Sequence, residues 1–294
     1  MTCCVAALCG DGKALVLVAD KMIGVGFVEA APEIKKLQRI HRDWWVLFAG
    51  DDIAPVFDVI DYAKQQLEED GRSKDSPVSL QEVKKAVALA FEKKRRELAA
   101  AAYLTPIGWD LASFNAEGQR LQDFGQIQAN FRDYELPIDM IVAGFDEKAE
   151  GRIFTIHGSG QNKGTAIRCD VPGFAAIGSG GIGALYMMYY RSLSPKLPVR
   201  VALLAAVEAK YFGEQAGSVS ESTDVYIVEP EGKEIMLDEE ETIEKKLFKI
   251  CQQIAPSDAT RKHAEIINAI PELEKFEPIK TEEEKKSKKA KAAG

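Results

Sequence analysis

The chain has 294 residues, of which 46% are hydrophobic and 29% are charged, a composition typical of a folded globular protein. Its 38 basic and 46 acidic side chains give a net charge of −8. This balance disfavours nucleic acid as a partner, because binding phosphates needs a surplus of Lys and Arg on one face. The longest apolar runs, such as 14–19 and 44–49, are far shorter than the roughly 20 residues of a spanning helix, so the sequence predicts no membrane association.

The first residues, Met-Thr-Cys-Cys-Val, lack a basic region and a small-residue cleavage site, so they are not typical of a signal peptide. Five cysteines, an odd number without a C-x-x-C pair, indicate neither a disulfide framework nor a zinc site. We therefore expect a cytoplasmic protein. The three histidines, His41, His157 and His263, are scattered singly; we expect structural or solvated side chains and predict no metal and no cofactor.

The first half of the chain predicts two pairs of strands followed by two helices. Gly10-Asp11-Gly12-Lys13 contains the Asp-Gly signal of a hairpin turn between the first two strands. Ser79 and Glu82 have the spacing of a capping box, and apolar residues recur at helical spacing beyond them. The predicted strands are 3–9, 14–20, 34–40 and 44–49, and the helices are about 52–69 and a long one beyond Ser79.

The second half repeats this order of elements without repeating the sequence. A hairpin is predicted about Asp146-Glu147. The strands are 138–145, 152–156, 165–168, 174–177, 224–229 and 233–237, and the helices are about 180–193 and 197–212. Alternating blocks of strands and helices predict an α+β protein in which two antiparallel sheets pack face to face with helices outside each one.

Composition divides the chain into three parts. Residues 2–237 are predicted to form one layered catalytic domain. Residues 238–280 are predicted to be a helical C-terminal extension, which begins with an acidic cluster suited to a helix N-terminus. Residues 281–294 are rich in Lys and Glu and too polar to bury a core, so we expect a disordered tail.

Thr2 is the first candidate for chemistry. Removal of Met1 would leave the Thr2 hydroxyl beside a free α-amine, and such an amine can act as the general base for its own side chain. A nearby buried cation would lower the pKa of this amine and favour its neutral form. Lys36 could supply the cation, and Asp20 could hold Lys36. The residues alone leave open that Asp20 only ends a strand and that Lys36 is solvated.

The spacing of these residues also matches a known family. Asp20 ends an Ala-Asp pair, Lys36 follows sixteen residues later, and Ala49-Gly50 ends fourteen residues beyond Lys36. A Gly-Ser-Gly turn at 178–180 follows a predicted strand. In these features the chain, over about residues 2–230, resembles the proteasome β-type subunits and their bacterial relatives, which are threonine peptidases of the N-terminal-nucleophile hydrolase superfamily.

The resemblance implies a four-layer αββα sandwich and assigns a role to each of five residues. Thr2 Oγ would be the nucleophile, and the Thr2 amine would accept its proton. Lys36 would tune the pKa of that amine, and Asp20 would orient Lys36. The Gly50 N–H would stabilise the oxyanion, and Ser179 would hydrogen-bond near the Thr2 amine. The residues alone leave open that Ser179 only caps the following helix.

The resemblance implies less about specificity and partners. By register, Ile34, Phe48 and Asp52 would lie near the pocket for the residue before the cut. The family's second acid, expected near Glu214, is left unassigned. The resemblance implies polypeptide substrates and a homo-oligomer, expected to be a ring or double ring. It leaves open the number of subunits, whether the assembly is a closed ring or an open helix, and whether an unfolding ATPase is a partner.

Two functions from different classes follow. The first is a self-compartmentalising threonine endopeptidase, and the second is a catalytically silent ring subunit or scaffold with the same fold. A third, minor alternative is an amidase that acts on a non-peptide amide. Cys3 or Cys4 could replace Thr2 as nucleophile only after further trimming of the N-terminus, and their position in the first strand favours ordinary buried thiols.

Overall fold

The computed structural model describes residues 2–21, 23–25, 28–30, 35–50, 52, 54–69, 76–214, 223–237, 262 and 264–279. Within these residues the protein is an α+β structure with two antiparallel five-stranded sheets and one two-stranded sheet. The strands are β1 (Cys4–Cys9), β2 (Ala14–Asp20), β3 (Ile23–Val25), β4 (Val28–Ala30), β5 (Leu37–His41), β6 (Trp44–Gly50), β7 (Ile138–Phe145), β8 (Gly151–His157), β9 (Ile167–Arg168), β10 (Phe174–Ile177), β11 (Thr223–Glu229) and β12 (Lys233–Leu237). The helices are α1 (Ala54–Glu69), α2 (Leu80–Tyr103), α3 (Leu111–Glu117), α4 (Phe124–Asp133), α5 (Gly181–Tyr190) and α6 (Val199–Glu214).

The first sheet has the strand order β10-β1-β2-β11-β12. Its β1–β2 hairpin, which the sequence predicted, places Cys4 opposite Ala19. β10 joins the other edge of β1, with Ile177 opposite Cys4, and β11 joins β2, with Thr223 opposite Asp20. The start of β1 therefore lies beside the ends of β2 and β10, although β10 is far away in sequence.

The second sheet has the order β5-β6-β7-β8-β9. It consists of the predicted β5–β6 and β7–β8 hairpins, which are joined through β6 and β7 with Gly50 opposite Ile138. β9 is shorter than predicted and covers only Ile167–Arg168. The two-stranded sheet of β3 and β4 was not predicted, because strands of three residues are too short to show a period.

Both faces of β1 are buried, and they belong to different apolar clusters. One cluster also contains residues of α5, α6 and the segment 264–279, and the other contains residues of β6 and β7 in the second sheet. Side chains alternate between the faces because the period of a strand is two. The helix-facing side chains are Val5, Ala7 and Cys9, and those facing the second sheet are Cys4, Ala6 and Leu8.

The outer face of the second sheet packs against α1 and α2. Val46 and Phe48 of β6 share a cluster with Val59 of α1 and with Val87 and Phe91 of α2. With one cluster between the sheets and one outside each of them, the structure is compatible with a sandwich. The predicted α+β class with two antiparallel sheets is confirmed at this level.

The capping box predicted at the start of α2 is present. Ser79 Oγ accepts a hydrogen bond from Glu82 N at 3.3 Å, and Glu82 Oε2 accepts one from Ser79 N at 2.8 Å. These bonds satisfy two backbone N–H groups that a helix start would otherwise leave without partners.

No secondary structure was predicted from the sequence for the segment that contains α3 and α4. Asp110 caps α3 by accepting a hydrogen bond from Ser113 N at 2.7 Å. The two short helices share an aromatic cluster, in which Phe114 and Phe131 stack with ring centroids 5.8 Å apart. The Asp-Leu-Ala-Ser pattern at Asp110 was a usable start signal, but helices of 7 and 10 residues show too few turns for a clear period.

Part of the predicted C-terminal extension packs on the first sheet. Ile267 and Leu273 are fully buried in the cluster with α6, and Arg200 of α6 donates hydrogen bonds to the carbonyl oxygens of Asn268 and Leu273. The helix predicted from Asp238, the tail 281–294 and His263 lie outside the described residues, so the proposed division into three parts stays a prediction. Within the described part of the chain, no helix has the length and apolar character needed to cross a membrane.

Candidate active site

Thr2, Asp20 and Lys36 form a buried polar cluster at the start of β1. Lys36 Nζ donates hydrogen bonds to Thr2 Oγ1 at 2.6 Å and to Asp20 Oδ1 and Oδ2 at 3.0 Å each. Thr2 is 7% exposed, and Asp20 and Lys36 are each 1% exposed. A lone charge at this depth would be strongly destabilised, whereas the contact between Lys36 and Asp20 gives each a partner. Lys36 is therefore not solvated.

Asp20 also holds the backbone that carries Thr2. Its Oδ1 atom accepts a hydrogen bond from Cys3 N at 2.9 Å, and its own N–H donates to Cys3 O at 3.2 Å. Lys36 lies directly before β5. The end of β2 and the start of β5 therefore meet at the Asp20 carboxylate. Asp20 does more than end a strand, because it joins the backbone beside Thr2 to the ammonium group of Lys36.

Ser179 contacts the backbone of Thr2. Thr2 N donates to Ser179 Oγ at 3.3 Å, and Ser179 Oγ donates to Thr2 O at 3.4 Å. Gly180 N donates to the same carbonyl oxygen at 3.2 Å. Gly180, not Ser179, is the N-cap residue of α5, and no side-chain hydrogen bond caps this helix, so the alternative that Ser179 is only a helix cap is wrong.

Gly178 is required by the same turn. Its φ of +87° lies in the left-handed region, and a Cβ atom added there would lie 2.2 Å from Thr2 O. Only glycine lets the turn approach the Thr2 backbone this closely. The Gly-Ser-Gly pattern was the signal in the sequence, but the reason for its first glycine is visible only in the structure.

Gly50 lies at the same end of the sandwich as Thr2. Cys4 Sγ donates to Phe48 O at 3.4 Å, while at the other end of β1 Leu8 Cδ2 lies 2.3 Å from a Cβ added to Gly151, at the start of β8. β1 thus runs from the Gly50 end of β6 towards the opposite end of the second sheet. Gly50 is exposed, and its role as oxyanion donor stays a prediction.

The three predicted pocket residues have different environments. Phe48 is fully buried, and its ring lies edge-on to Phe57 of α1 at 5.7 Å. Asp52 is exposed, and its Oδ1 accepts a hydrogen bond from Ala54 N at 3.0 Å, which gives it a local role at the start of α1. Ile34 lies outside the described residues. The substrate pocket therefore stays a prediction.

The thiols next to Thr2 are poorly suited to nucleophilic attack. Burial raises the pKa of Cys3 to about 12 and the pKa of Cys4 well above its ordinary value. Because the thiolate is the reactive form, these thiols behave as buried apolar groups. This supports the hydroxyl of Thr2 as the candidate nucleophile.

The described histidines offer no comparable centre. His157 Nδ1 lies 3.2 Å from Asp139 Oδ1, and this hydrogen bond raises the pKa of His157. Among the residues whose structure is described, no group of three or more His, Cys, Asp or Glu side chains could hold a metal ion.

A second buried ion pair lies near Thr2 and was not predicted from the sequence. Lys210 of α6 is fully buried and forms an ion pair with Glu214 one turn later. A Lys followed by Glu at i+4 was the signal, but such pairs are also common on exposed helix faces. Only the packing of α6 shows that this pair is inside the protein.

The arrangement at Thr2 is suited to nucleophilic catalysis by a hydroxyl. An ammonium group at hydrogen-bond distance stabilises negative charge as it develops on Thr2 Oγ1. Comparison with models of known protein families found no match, and comparison with curated proteins found none either. The buried cluster at Thr2 and the sequence motifs that supply its residues are therefore the observations that bear on function.

Proposed function

We propose that the protein is a threonine endopeptidase of the N-terminal-nucleophile hydrolase class, with the four-layer αββα sandwich of that class, and that Thr2 becomes its nucleophile after Met1 is removed. The observation that carries this proposal is the position of Lys36 Nζ, 2.6 Å from Thr2 Oγ1 and 3.0 Å from both oxygens of Asp20.

The first chemical step forms an ester. Thr2 Oγ1 attacks the carbonyl carbon of the scissile peptide bond while its proton passes to the neutral Thr2 amine. Lys36 stabilises the oxygen as it loses that proton, and the Gly50 N–H donates to the oxyanion of the tetrahedral intermediate. The carbon–nitrogen bond then breaks, and the Thr2 ammonium group returns the proton to the leaving amine.

The second step releases the other product. Water attacks the ester carbonyl carbon, the Thr2 amine accepts a proton from that water, and the ester bond breaks with return of the proton to Thr2 Oγ1. Ser179 supports both steps by fixing the Thr2 backbone, because its hydroxyl bonds both Thr2 N and Thr2 O. The amine exists only once the Met1–Thr2 peptide bond is broken.

Self-assembly into a ring or double ring belongs to the same proposal. α5 contains no charged residue, and four of its apolar or aromatic side chains are at least 60% exposed: Ile182, Tyr186, Tyr189 and Tyr190. An exposed apolar patch of this kind favours association, and we expect a second copy of this chain to cover it. The native mass of the purified protein measures this directly.

The deciding experiment combines an intact mass with an activity assay. We expect loss of Met1, cleavage of short fluorogenic peptides, and at least about a 10³-fold lower rate for Thr2→Ala. Acid quenching during turnover should trap an acyl group on the N-terminal peptide of the wild type. Retained Met1 in the native particle, or full activity of Thr2→Ala, would contradict the proposal.

Two control variants make the result specific. Thr2→Ser keeps a hydroxyl at the same position and should retain measurable activity. Thr105→Ala removes a threonine hydroxyl from an exposed position and should be indistinguishable from the wild type. A folded wild-type particle that has lost Met1 but cleaves no peptide and traps no acyl group would favour the catalytically silent scaffold.

A further inference from the structure

The segment between α2 and β7 lies outside the packing of both sheets. We call residues 105–135, which contain α3 and α4, the α3–α4 segment. Within this segment, all of which the structure describes, only Phe114 and Gly118 are buried. None of its residues belongs to the three apolar clusters described around the sheets. The segment is nevertheless folded, so the packing of the sandwich does not explain its presence.

The α3–α4 segment returns to the second sheet beside Gly50. β7 begins at Ile138, opposite Gly50, and a Cβ atom added to Gly50 would lie 2.6 Å from Pro137 O. Leu136 N donates to Gly158 O at 3.1 Å, which fixes this return to the end of β8. The segment therefore rejoins the sandwich at the end that holds Thr2, next to the predicted oxyanion donor.

The α3–α4 segment also leaves the sandwich at this end. Tyr103 is the last residue of α2, and its ring lies edge-on to the ring of Tyr134 at a centroid distance of 6.2 Å. Tyr134 comes shortly before β7 in the chain. Because both ends of the segment lie close together at the Thr2 end, its two helices are carried at that end of the molecule.

Polar contacts fix the base of the α3–α4 segment. Arg95 Nη1 of α2 donates to Phe131 O at 2.7 Å and to Tyr134 O at 3.3 Å. Lys163, in the connection after β8, donates from Nζ to Asp133 O at 2.8 Å. These bonds satisfy carbonyl oxygens that the end of α4 would otherwise leave without partners. The segment therefore keeps a defined position beside the Thr2 end, as an element that selects by size must do.

An extended chain and a folded protein differ greatly in width. Neighbouring strands in a sheet are about 4.8 Å apart, whereas a folded domain of about 100 residues has a radius of gyration of about 13 Å. Two helices fixed beside a site therefore obstruct a folded protein far more than they obstruct a single extended chain.

We propose that the α3–α4 segment is a size-selective screen at the entrance to the Thr2 site. It admits short peptides and extended polypeptide chains, and it keeps folded proteins away from Thr2 Oγ1. The substrate class of the site is therefore unfolded polypeptide. The effect on hydrolysis rests on the proposed peptidase function, whereas access to the Thr2 amine can be measured without any hydrolysis.

Removal of the screen is the first test. In the deletion variant, a short Gly-Ser linker replaces residues 106–133, which is feasible because Tyr103 and Tyr134 are close together. One cleavable sequence is presented both as a free peptide and as a surface loop of a folded protein. We expect the wild type to cleave the free peptide only. The deletion should raise cleavage of the loop at least about tenfold and leave kcat and KM for the free peptide within about twofold.

Added bulk is the second test, and it does not depend on the deletion variant being folded. A bulky polymer is attached to the thiol of Gln122→Cys, an exposed position between α3 and α4, in a background of Cys169→Ser and Cys251→Ser. The matched control carries the polymer at Glu147→Cys, which is exposed in the β7–β8 turn at the opposite end of the second sheet. We expect slower cleavage of a long free peptide with the polymer at position 122 and wild-type cleavage with the polymer at position 147.

Access to the Thr2 amine is the readout that needs no catalysis. Each protein is prepared with a cleavable N-terminal fusion that is released directly before Thr2. The amine is treated with a small acylating reagent or with the same reagent attached to a folded carrier protein, and mass analysis of the N-terminal peptide gives both rates. We expect the deletion to raise the rate with the carrier several-fold relative to the rate with the small reagent.

The outcomes distinguish the screen from the peptidase. An unchanged ratio of the two acylation rates in a folded deletion variant, or equal effects of the polymer at the two positions, would overturn the screen. A raised ratio without peptide hydrolysis in any protein, including the wild type, would support the screen and contradict the peptidase.

Discussion

Buried charges at the Thr2 end of the first sheet differ from those at the hairpin turns of the second sheet. Lys36, directly before β5, pairs with Asp20 at the end of β2 and also contacts the Thr2 hydroxyl. Asp146, in contrast, closes its own hairpin: its Oδ1 accepts hydrogen bonds from Lys148 N at 2.9 Å and Glu150 N at 3.1 Å. The Lys36–Asp20 pair joins distant segments around a hydroxyl, whereas the Asp146 carboxylate accepts hydrogen bonds from the backbone N–H groups of its own turn.

This difference indicates a catalytic role for the Lys36–Asp20 pair and a stabilising role for Asp146. A buried ion pair can often be replaced by neutral side chains of similar size without loss of stability, so stability alone does not explain Lys36 and Asp20. A carboxylate that accepts backbone hydrogen bonds does stabilise its turn, because the N–H groups would otherwise be left without partners. We call the surroundings of Thr2, Asp20 and Lys36 the first region and the hairpin turn at Asp146 the second region. We expect substitutions in the first region to affect activity most, and those in the second to affect only stability.

The largest effect is expected at Lys36. Lys36→Met should lower peptide hydrolysis by at least about 10²-fold and lower the free energy of unfolding by about 3–5 kcal/mol, because the Asp20 carboxylate is left buried without its partner. Combining Lys36→Met with Asp20→Asn should restore the stability to within about 1 kcal/mol of the wild type, or above it, while activity stays lost. Urea unfolding and the peptide assay measure the two quantities.

Lys94→Met provides the comparison for this variant. Lys94 pairs with Asp58, whose side chain is 50% exposed, so its loss should change the free energy of unfolding by less than about 1 kcal/mol and leave activity unchanged. A double variant at Asp20 and Lys36 that keeps wild-type activity would remove the distinction between the two regions.

The next effect is expected at Gly178. Gly178→Ala places a Cβ atom 2.2 Å from Thr2 O at a φ of +87°, so the turn must move and the Ser179 contact with it. We expect a loss of about 2–4 kcal/mol in stability together with a tenfold or larger fall in kcat, where tenfold corresponds to about 1.4 kcal/mol. Thermal unfolding and steady-state kinetics give both values.

Gly160→Ala controls for the backbone conformation alone. Gly160 has a similar φ of +81°, but nothing lies within 4 Å of an added Cβ atom. This variant should lose only about 1 kcal/mol from the left-handed conformation and keep the wild-type kcat. Equal kinetic losses in the two variants would show that the contact with Thr2 has no effect on turnover.

The smallest effect is expected at Asp146 and concerns stability alone. Burial acts to raise the pKa of Asp146, but hydrogen bonds from the Glu150 backbone and from Arg152 hold it below its ordinary value. A pKa that is lower in the folded state stabilises the protein above the unfolded value of about 4 and loses this contribution as the pH falls through the folded value. Asp146→Asn should therefore cost about 1–3 kcal/mol near pH 7, and less below pH 4.

Urea unfolding at several pH values measures this difference. Asp133→Asn is the control, since Asp133 is exposed and its main partner, Arg132, is its neighbour in the chain. The hydrogen bond with Arg132 also lowers the pKa of Asp133, but solvent screens an exposed pair, so the pH-dependent change in the unfolding midpoint of Asp133→Asn should be much smaller than that of Asp146→Asn. A fall in peptide hydrolysis for Asp146→Asn would contradict the view that the second region has a structural role only.

Much of the fold could be predicted from local patterns. The β1–β2 hairpin followed from two apolar runs around an Asp-Gly turn, and the start of α2 followed from the Ser79–Glu82 capping box, because both depend on residues close together in the chain. α3 and α4 were not predicted, because short helices that are held together by aromatic contacts leave little local signal in the sequence.

The sequence by itself determined which side chains are candidates for chemistry, because the spacing of Asp20, Lys36 and Gly50 and the Gly-Ser-Gly turn can be read along the chain. Only the tertiary structure decided how they meet. Thr2 and Ser179 are 177 positions apart, and they touch because β10 pairs with the free edge of β1. Burial likewise decided that Lys36 and Lys210 are paired inside the protein while Lys35 is exposed, because the cost of burying an ammonium group depends on the surrounding atoms and not on its neighbours in sequence.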